Sequence, residues 1–160
     1  MRAPDWLTAR PVAHRGLHDR AHGVIENMPG AIRAAIEGRF SIEVDLQLTR
    51  DGEAMVHHDD ALGRLTNGSG ALRDKTAAEL RQVAFRDTPE RMMSLADLCT
   101  LVGGRVALVL ELKQLERQQP RAFAAVLAAL DQGVDGDLQF FRALERERKV
   151  MLACIGEGVG

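Results

Sequence analysis

There is no tyrosine in this chain, and its 160 residues hold one tryptophan, two cysteines and five prolines. Cys99 and Cys154 are too few for a disulfide framework and lack metal-ligand spacing, so both are expected as small core residues. An excess of positive charge is missing too. The formal net charge is −2, which gives no footprint for a nucleic-acid or anionic-membrane partner. No apolar run approaches the ~20 residues of a membrane span, and no charged start precedes an apolar segment as in a signal peptide. A soluble, cytoplasmic protein is the expectation. Internal repeats and low-complexity tracts are also lacking. What is there is an ordinary globular composition, 46% apolar and 28% charged, in a chain long enough for one domain with a sizeable core.

The chain is organised around residues 41–59, SIEVDLQLTRDGEAMVHHD. Ile42, Val44, Leu46 and Leu48 alternate with Glu43, Asp45, Gln47 and Thr49, which predicts a strand with one apolar and one acidic face. Asp51-Gly52 then reads as a two-residue hairpin loop, because both residues tolerate positive φ. That register sets Asp45 opposite His58 and Gln47 opposite Val56. Directly opposed residues share a face, so His58 is expected beside the carboxylates and His57 on the other side, with Val44 and Leu46. Two carboxylates and an imidazole on one face suit a metal site with an acid/base beside it. A solvent-facing strand with scattered polar residues gives the same pattern.

Around this stretch, strands and helices alternate. Residues 10–14 read as a short strand. Asn27 as N-cap and Pro29 in the first turn open a helix with Ala31, Ile32, Ala35 and Ile36 on one face, stopped at Gly38. Residues 40–49 and 54–58 are the next strands. Thr76 and Glu79 form a capping box, and Ser94 caps a helix ended by Gly103-Gly104. Residues 105–112, RVALVLEL, read as a strand buried on both faces. Pro120 opens a helix to about Asp131. The charged run 140–149 reads as helix, 150–155 as a short apolar segment, and 156–160 as a frayed tail. Alternation of this kind argues for an α/β fold with a largely parallel sheet. His18 and His22 fall in a polar loop, and Met92-Met93 are expected to pack rather than to bind.

Polar residues gather at the predicted strand ends: His14-Arg15-Gly16, Glu43 and Asp45, His58-Asp59, Glu111 and Lys113. In parallel α/β folds working sites form at the carboxyl ends of strands. Glu111 and Lys113 end an apolar strand, where a charge must be paired or bound. An internal salt bridge would also satisfy that demand.

These residues carry a resemblance. AHRG (13–16), EN (26–27), IEVDLQLTRDG (42–52), the HD at 58–59 with LGRLTNG after it, and LELK (110–113) together resemble the glycerophosphodiester phosphodiesterase family. The resemblance runs from about Val12 to Asp131. It implies a (β/α)8 TIM-barrel type of fold, as in phospholipase-C-like phosphodiesterases, and metal-dependent hydrolysis of glycerophosphodiesters to glycerol 3-phosphate and an alcohol. Carried over by motif, Glu43, Asp45 and Glu111 are implied as ligands of Mg2+ or Ca2+. His14 and His58 are implied as the acid/base pair. Arg15 is implied on the phosphate, with Lys113 beside it. A phosphodiester is an anion that repels nucleophiles, so cationic neutralisation of its oxygens and two near-neutral imidazoles fit the reaction. Water, or a substrate hydroxyl through a cyclic phosphate, would both serve as nucleophile. Ile25 and Met28 depart from the family's usual Pro and Thr. Length departs more, because a (β/α)8 barrel typically needs ~250 residues. Residues 1–133 are thus expected as the N-terminal part of such a barrel and 134–160 as an atypical tail. An impaired family member keeping only phosphate and metal binding is the alternative, and a phospholipase of the same barrel type is a third reading. An incomplete sheet leaves the 106–110 strand at or near an unpaired edge, from which self-association is expected.

Overall fold

The computed structural model describes residues 5–112 in full, and the backbone of residues 139–144 and 150–155. After a short helix α1 (Asp5–Thr8), strand β1 (Val12–His14) leads through a loop to helix α2 (Pro29–Glu37) and strand β2 (Ser41–Leu48). Strand β3 (Ala54–Val56) returns along β2. Helices α3 (Ala77–Leu80) and α4 (Leu95–Val102) precede strand β4 (Leu108–Leu112). Strands β5 (Gln139–Leu144) and β6 (Val150–Ile155) follow. Lys113 and the helix expected from Pro120 to Asp131 lie outside the described residues, as do the side chains of 139–144 and 150–155.

The sheet runs β1-β2-β4-β6-β5, with β3 also on β2. β1, β2 and β4 are parallel neighbours, as the β-α-β pattern requires. β1 pairs with the first half of β2 and antiparallel β3 with its second half. The expectation that 140–149 is helical fails in its first part: residues 139–144 are strand β5, antiparallel to β6. Phe140 and Phe141 are residue types that favour strands, and pairing with β6 gives their backbone a ladder that charge pattern alone does not reveal. β6 in turn lies antiparallel on β4, so β4, expected at or near a sheet edge, is not itself the edge strand.

Two apolar clusters hold the fold. Ile42, Val44 and Leu46 of β2 meet Leu108 and Leu110 of β4, Ile32 and Ala35 of α2, and Leu95, Leu98, Cys99 and Val102 of α4. The buried Cys99 is thus a core residue, and burial pushes its thiol up to about 11. A second cluster, with Met28, Met55, Leu62, Leu72, Leu80, Phe85 and Met92, packs the long 57–94 connection. Met92 and Met93 are packing residues, as expected. The expected capping box forms, with Thr76 accepting from the Glu79 N–H, and Ser94 caps α4 as expected, in a second box with Asp97. Among the described residues, no helix is long and apolar enough to cross a membrane.

Candidate active site

The acidic face of β2 is buried, with Glu43, Asp45, Gln47 and Thr49 all nearly inaccessible. The parallel registers decide what meets it. His14 of β1 pairs with Glu43, and Glu111 of β4 pairs with Asp45. One carboxylate oxygen from each of Glu43, Asp45 and Glu111 lies within 4.8 Å of the other two. Three carboxylates so close repel one another, and burial deprives them of water. Burial first, then the charge of Asp45, pushes the Glu43 carboxyl up to about 7. Oε1 of Glu43 is buried with no hydrogen-bond partner. A hard cation satisfies such an oxygen, and an all-carboxylate donor set is the kind that Mg2+ and Ca2+ take.

The turn after β1 supplies a guanidinium. Arg15 has φ 59 and Gly16 φ 80, consecutive left-handed residues. A Cβ at Gly16 would lie 2.8 Å from Ala31 Cβ of α2, so glycine is required by both conformation and close approach. The turn aims the Arg15 N–H at Glu43 Oε2, 3.1 Å away. The Arg15 side chain sets Nε 3.1 Å from Asp45 Oδ2 and donates from Nη1 to Glu26 Oε1 at 2.9 Å. His14 is two-thirds exposed, with Nε2 3.8 Å from Glu43 Oε2.

The expected hairpin register is wrong by one residue. Val56 opposes Leu46 and Met55 opposes Gln47, and the His57 N–H donates to the Asp45 carbonyl. His57, not His58, therefore falls opposite Asp45. The cause is the loop. Thr49 donates its N–H to Glu53, leaving Arg50-Asp51-Gly52 as a three-residue turn with Gly52 at φ 86. Asp51 Oδ1 is engaged by the Thr49 hydroxyl at 2.5 Å and by the Ala77 N–H at 3.0 Å. The turn is thus pinned to α3, a tertiary contact that the dipeptide does not announce. His57 is 1% exposed, and loss of hydration pushes its imidazole down, favouring the neutral form.

His58 is half-buried and lies in the loop that follows β3. β3 ends at Val56, and Gln47 Nε2 donates to the carbonyls of His57, His58 and Asp59 at 3.3, 2.9 and 2.7 Å. This clamp shapes the loop that carries His58. Its Nδ1 lies 2.8 Å from Asp59 Oδ1. Arg64 donates from Nε to Asp59 Oδ2 at 2.5 Å and from Nη2 to Glu26 Oε1 at 2.7 Å. The chain of contacts His58–Asp59–Arg64–Glu26–Arg15–Asp45 is continuous. Hydrogen bonding by Arg64 holds Asp59 well below the usual carboxylate range. At Glu26 burial is the largest effect and raises the pKa, but Arg64 and Arg15 together outweigh it and the net direction is down.

Asn27, expected as a helix cap, is not one. Met28 is the N-cap of α2 and makes no side-chain cap bond. Fully buried Asn27, at φ 59, donates from Nδ2 to Asp45 Oδ2 at 3.1 Å. Sequence reading also gave no role to Gln47, Asp59, Arg64 or Glu26. The only signal for the last three was their presence in the quoted motifs.

The Glycerophosphoryl diester phosphodiesterase family model matches residues 14–152, most of the chain and every candidate site residue. The chain belongs to this family. Among curated glycerophosphodiester phosphodiesterases, that of Caldanaerobacter subterraneus subsp. tengcongensis is 36% identical over 105 residues, 61% of this chain and 42% of the relative. Glycerophosphodiester phosphodiesterase 1 of Homo sapiens is 38% identical over 73 residues, 45% of this chain and 21% of that protein. The structure of an Oleispira antarctica phosphodiesterase, solved with the product sn-glycerol-3-phosphate, superposes with TM-score 0.70 and 28% identity. It covers 82% of this chain and 56% of that one. The Thermotoga maritima glycerophosphodiester phosphodiesterase gives TM-score 0.60 at 27% identity, over 77% of this chain and 50% of that one. The chain thus spans about half the length of these proteins, or less. Its parallel β1-β2-β4 sheet with helices on one face is part of the (β/α)8 type of fold that the sequence implied.

Proposed function

We propose that the chain carries the metal- and histidine-bearing part of a glycerophosphodiester phosphodiesterase, acting in the cytoplasm to release glycerol 3-phosphate and an alcohol. The observation that carries this reading is the convergence of Glu43, Asp45 and Glu111 oxygens within 4.8 Å, with His14 and Arg15 on the adjoining strand end. Those three side chains would hold the Mg2+ or Ca2+. When bound, such a cation neutralises charge that develops on the phosphoryl oxygens. Arg15, already paired with Asp45 and Glu26, would orient the phosphate through its remaining N–H groups, and Lys113 would add a second positive charge. His14 and His58 would divide the proton work. One takes the proton of the attacking hydroxyl or water, and the other gives one to the departing alkoxide. The role of His58 rests on the HD motif, not on the two-residue-loop register.

The second reading is a chain that binds cation and phosphate but turns over poorly. It is favoured by the antiparallel β6 on β4, where a (β/α)8 barrel continues in parallel. One experiment separates the two. Calorimetric titration with Ca2+ and Mg2+ is paired with an assay for glycerol 3-phosphate released from glycerophosphocholine. Binding with release supports the hydrolase, and binding without release supports the second reading. If wild type takes up no cation, or binds it no better than a Glu43→Gln, Asp45→Asn, Glu111→Gln variant, both readings fail.

A further inference from the structure

We propose that Arg64 is a positioning residue, which fixes the ring of His58 through Asp59 so that Nε2 is its proton-exchanging atom. The inference rests on the assignment of His58 as an acid/base, but its geometry is independent of that assignment. Arg64 contacts both oxygens of Asp59, Nε to Oδ2 at 2.5 Å and Nη2 to Oδ1 at 3.0 Å. The same Nη2 reaches Glu26 Oε1 at 2.7 Å. A forked guanidinium on two carboxylates leaves the Asp59 carboxylate little freedom to rotate. Its Oδ1 then faces His58 Nδ1 at 2.8 Å.

Proton bookkeeping follows from the partners. Asp59, held as a carboxylate by Arg64, has no hydrogen to donate, so Nδ1 of His58 must carry the proton between them. Neutral His58 is therefore the Nδ1–H tautomer with its lone pair on Nε2. Protonated His58 gives up its proton from Nε2. In either direction the exchanging atom is the same, which is what a general acid or base needs. A surface-pair role does not account for this arrangement. Arg64 is about half exposed, and an exposed ion pair adds little stability. Glu26 also holds Arg15, which touches Asp45, so the same guanidinium ties the His58 loop to the carboxylate cluster.

The test uses the whole chain, labelled with 15N on histidine, and long-range 1H–15N spectra that report which ring nitrogen of His58 is protonated. Wild type is expected to show the Nδ1–H tautomer at a pH where His58 is neutral. Asp59→Asn and Arg64→Ala are expected to shift His58 toward a mixture or toward Nε2–H, and Arg64→Lys to restore the wild-type pattern only in part. Circular dichroism of each variant identifies any that fails to fold. Asp59→Asn, which changes one oxygen to nitrogen, keeps the question open to measurement if Arg64→Ala does not fold. An Nε2–H tautomer in wild type, or a His58 pattern untouched by Asp59→Asn and by each folded Arg64 variant, overturns the inference. If the tautomer responds but His58→Ala leaves glycerol 3-phosphate release intact, the positioning stands and the catalytic reading of His58 fails.

Discussion

Glu43 shows how a residue's chemistry is set by its neighbours. Its carboxyl is pushed from 4.5 to about 7 by burial and by Asp45. The folded, cation-free chain therefore binds a proton at Glu43 that the unfolded chain releases above its ordinary pKa. Its stabilising effect is full below pH 4.5, declines as pH rises, and is gone above about 7, an effect of about 3 kcal/mol. His57, whose pKa is lowered by burial, acts in the opposite direction as pH falls through 6.5. The contribution of Glu43 is therefore read as a difference. In EDTA, urea midpoints of wild type are expected to fall relative to Glu43→Gln between pH 5 and 7.5. Added Ca2+ or Mg2+ should stabilise wild type more at pH 7.5 than at pH 5, because the proton no longer competes. The adjacent histidines should separate by kind of loss. His58→Ala is expected to lower turnover by at least ~100-fold in an active preparation, the lower end for a lost acid/base group. His57→Ala, which removes a ring that is 1% exposed, is expected to lower urea stability by about 2 kcal/mol. Equal kinetic losses in the two variants would contradict the assignment.

At the scale of the element, the β2–β3 hairpin carries the clearest lesson. Asp-Gly is read as a two-residue turn because local φ preference is all that a dipeptide discloses. In the fold, Asp51 also accepts from the Ala77 N–H, and Gly52 takes the left-handed position of a longer loop. A slip of one residue reverses the face of every later side chain on the strand. Gly52→Ala has open space for its Cβ but an unfavourable φ, so a loss of about 1 kcal/mol in urea denaturation is expected, with no change in cation affinity. A neutral result would mean that residue 52 is not left-handed in solution. Helix starts divide in the same way. Thr76 and Ser94 cap as their sequences predict, since both partners of a capping box lie within four residues. Asn27, with equal capping propensity, is drawn instead to a buried carboxylate oxygen 18 positions away.

For the whole molecule, the ends of the sheet govern how the chain associates. β6 covers the strand that was expected at or near the edge, which moves the edge outward. Among the described residues, β1 and β5 each have a strand partner on one side only. Val12 of β1 is 44% exposed. Unpaired strand edges of this kind template further pairing. The 160-residue chain on its own is expected to self-associate and to show weak or absent phosphodiesterase activity. Light scattering over a concentration series, with the glycerophosphocholine assay on the same samples, checks both. A monodisperse monomer with robust turnover would refute the expectation.

The amino-acid order alone determined the parallel β-α-β opening, the buried β4 strand, the Thr76 capping box, the Ser94 cap and the acidic face that carries Glu43 and Asp45. Each of these is written in short-range periodicity or in motif residues at fixed spacing. Tertiary structure decided the rest. The arrival of Glu111 beside Glu43 and Asp45 is set by the β2–β4 register. Whether His57 or His58 lies opposite Asp45 depends on a turn held by Ala77. The destination of the Asn27 amide depends on where β2 lies relative to the first loop. The tie from Asp59 through Arg64 to Glu26 joins side chains up to 38 positions apart. Such contacts depend on how strands and loops are set side by side in space, and no local propensity encodes that arrangement.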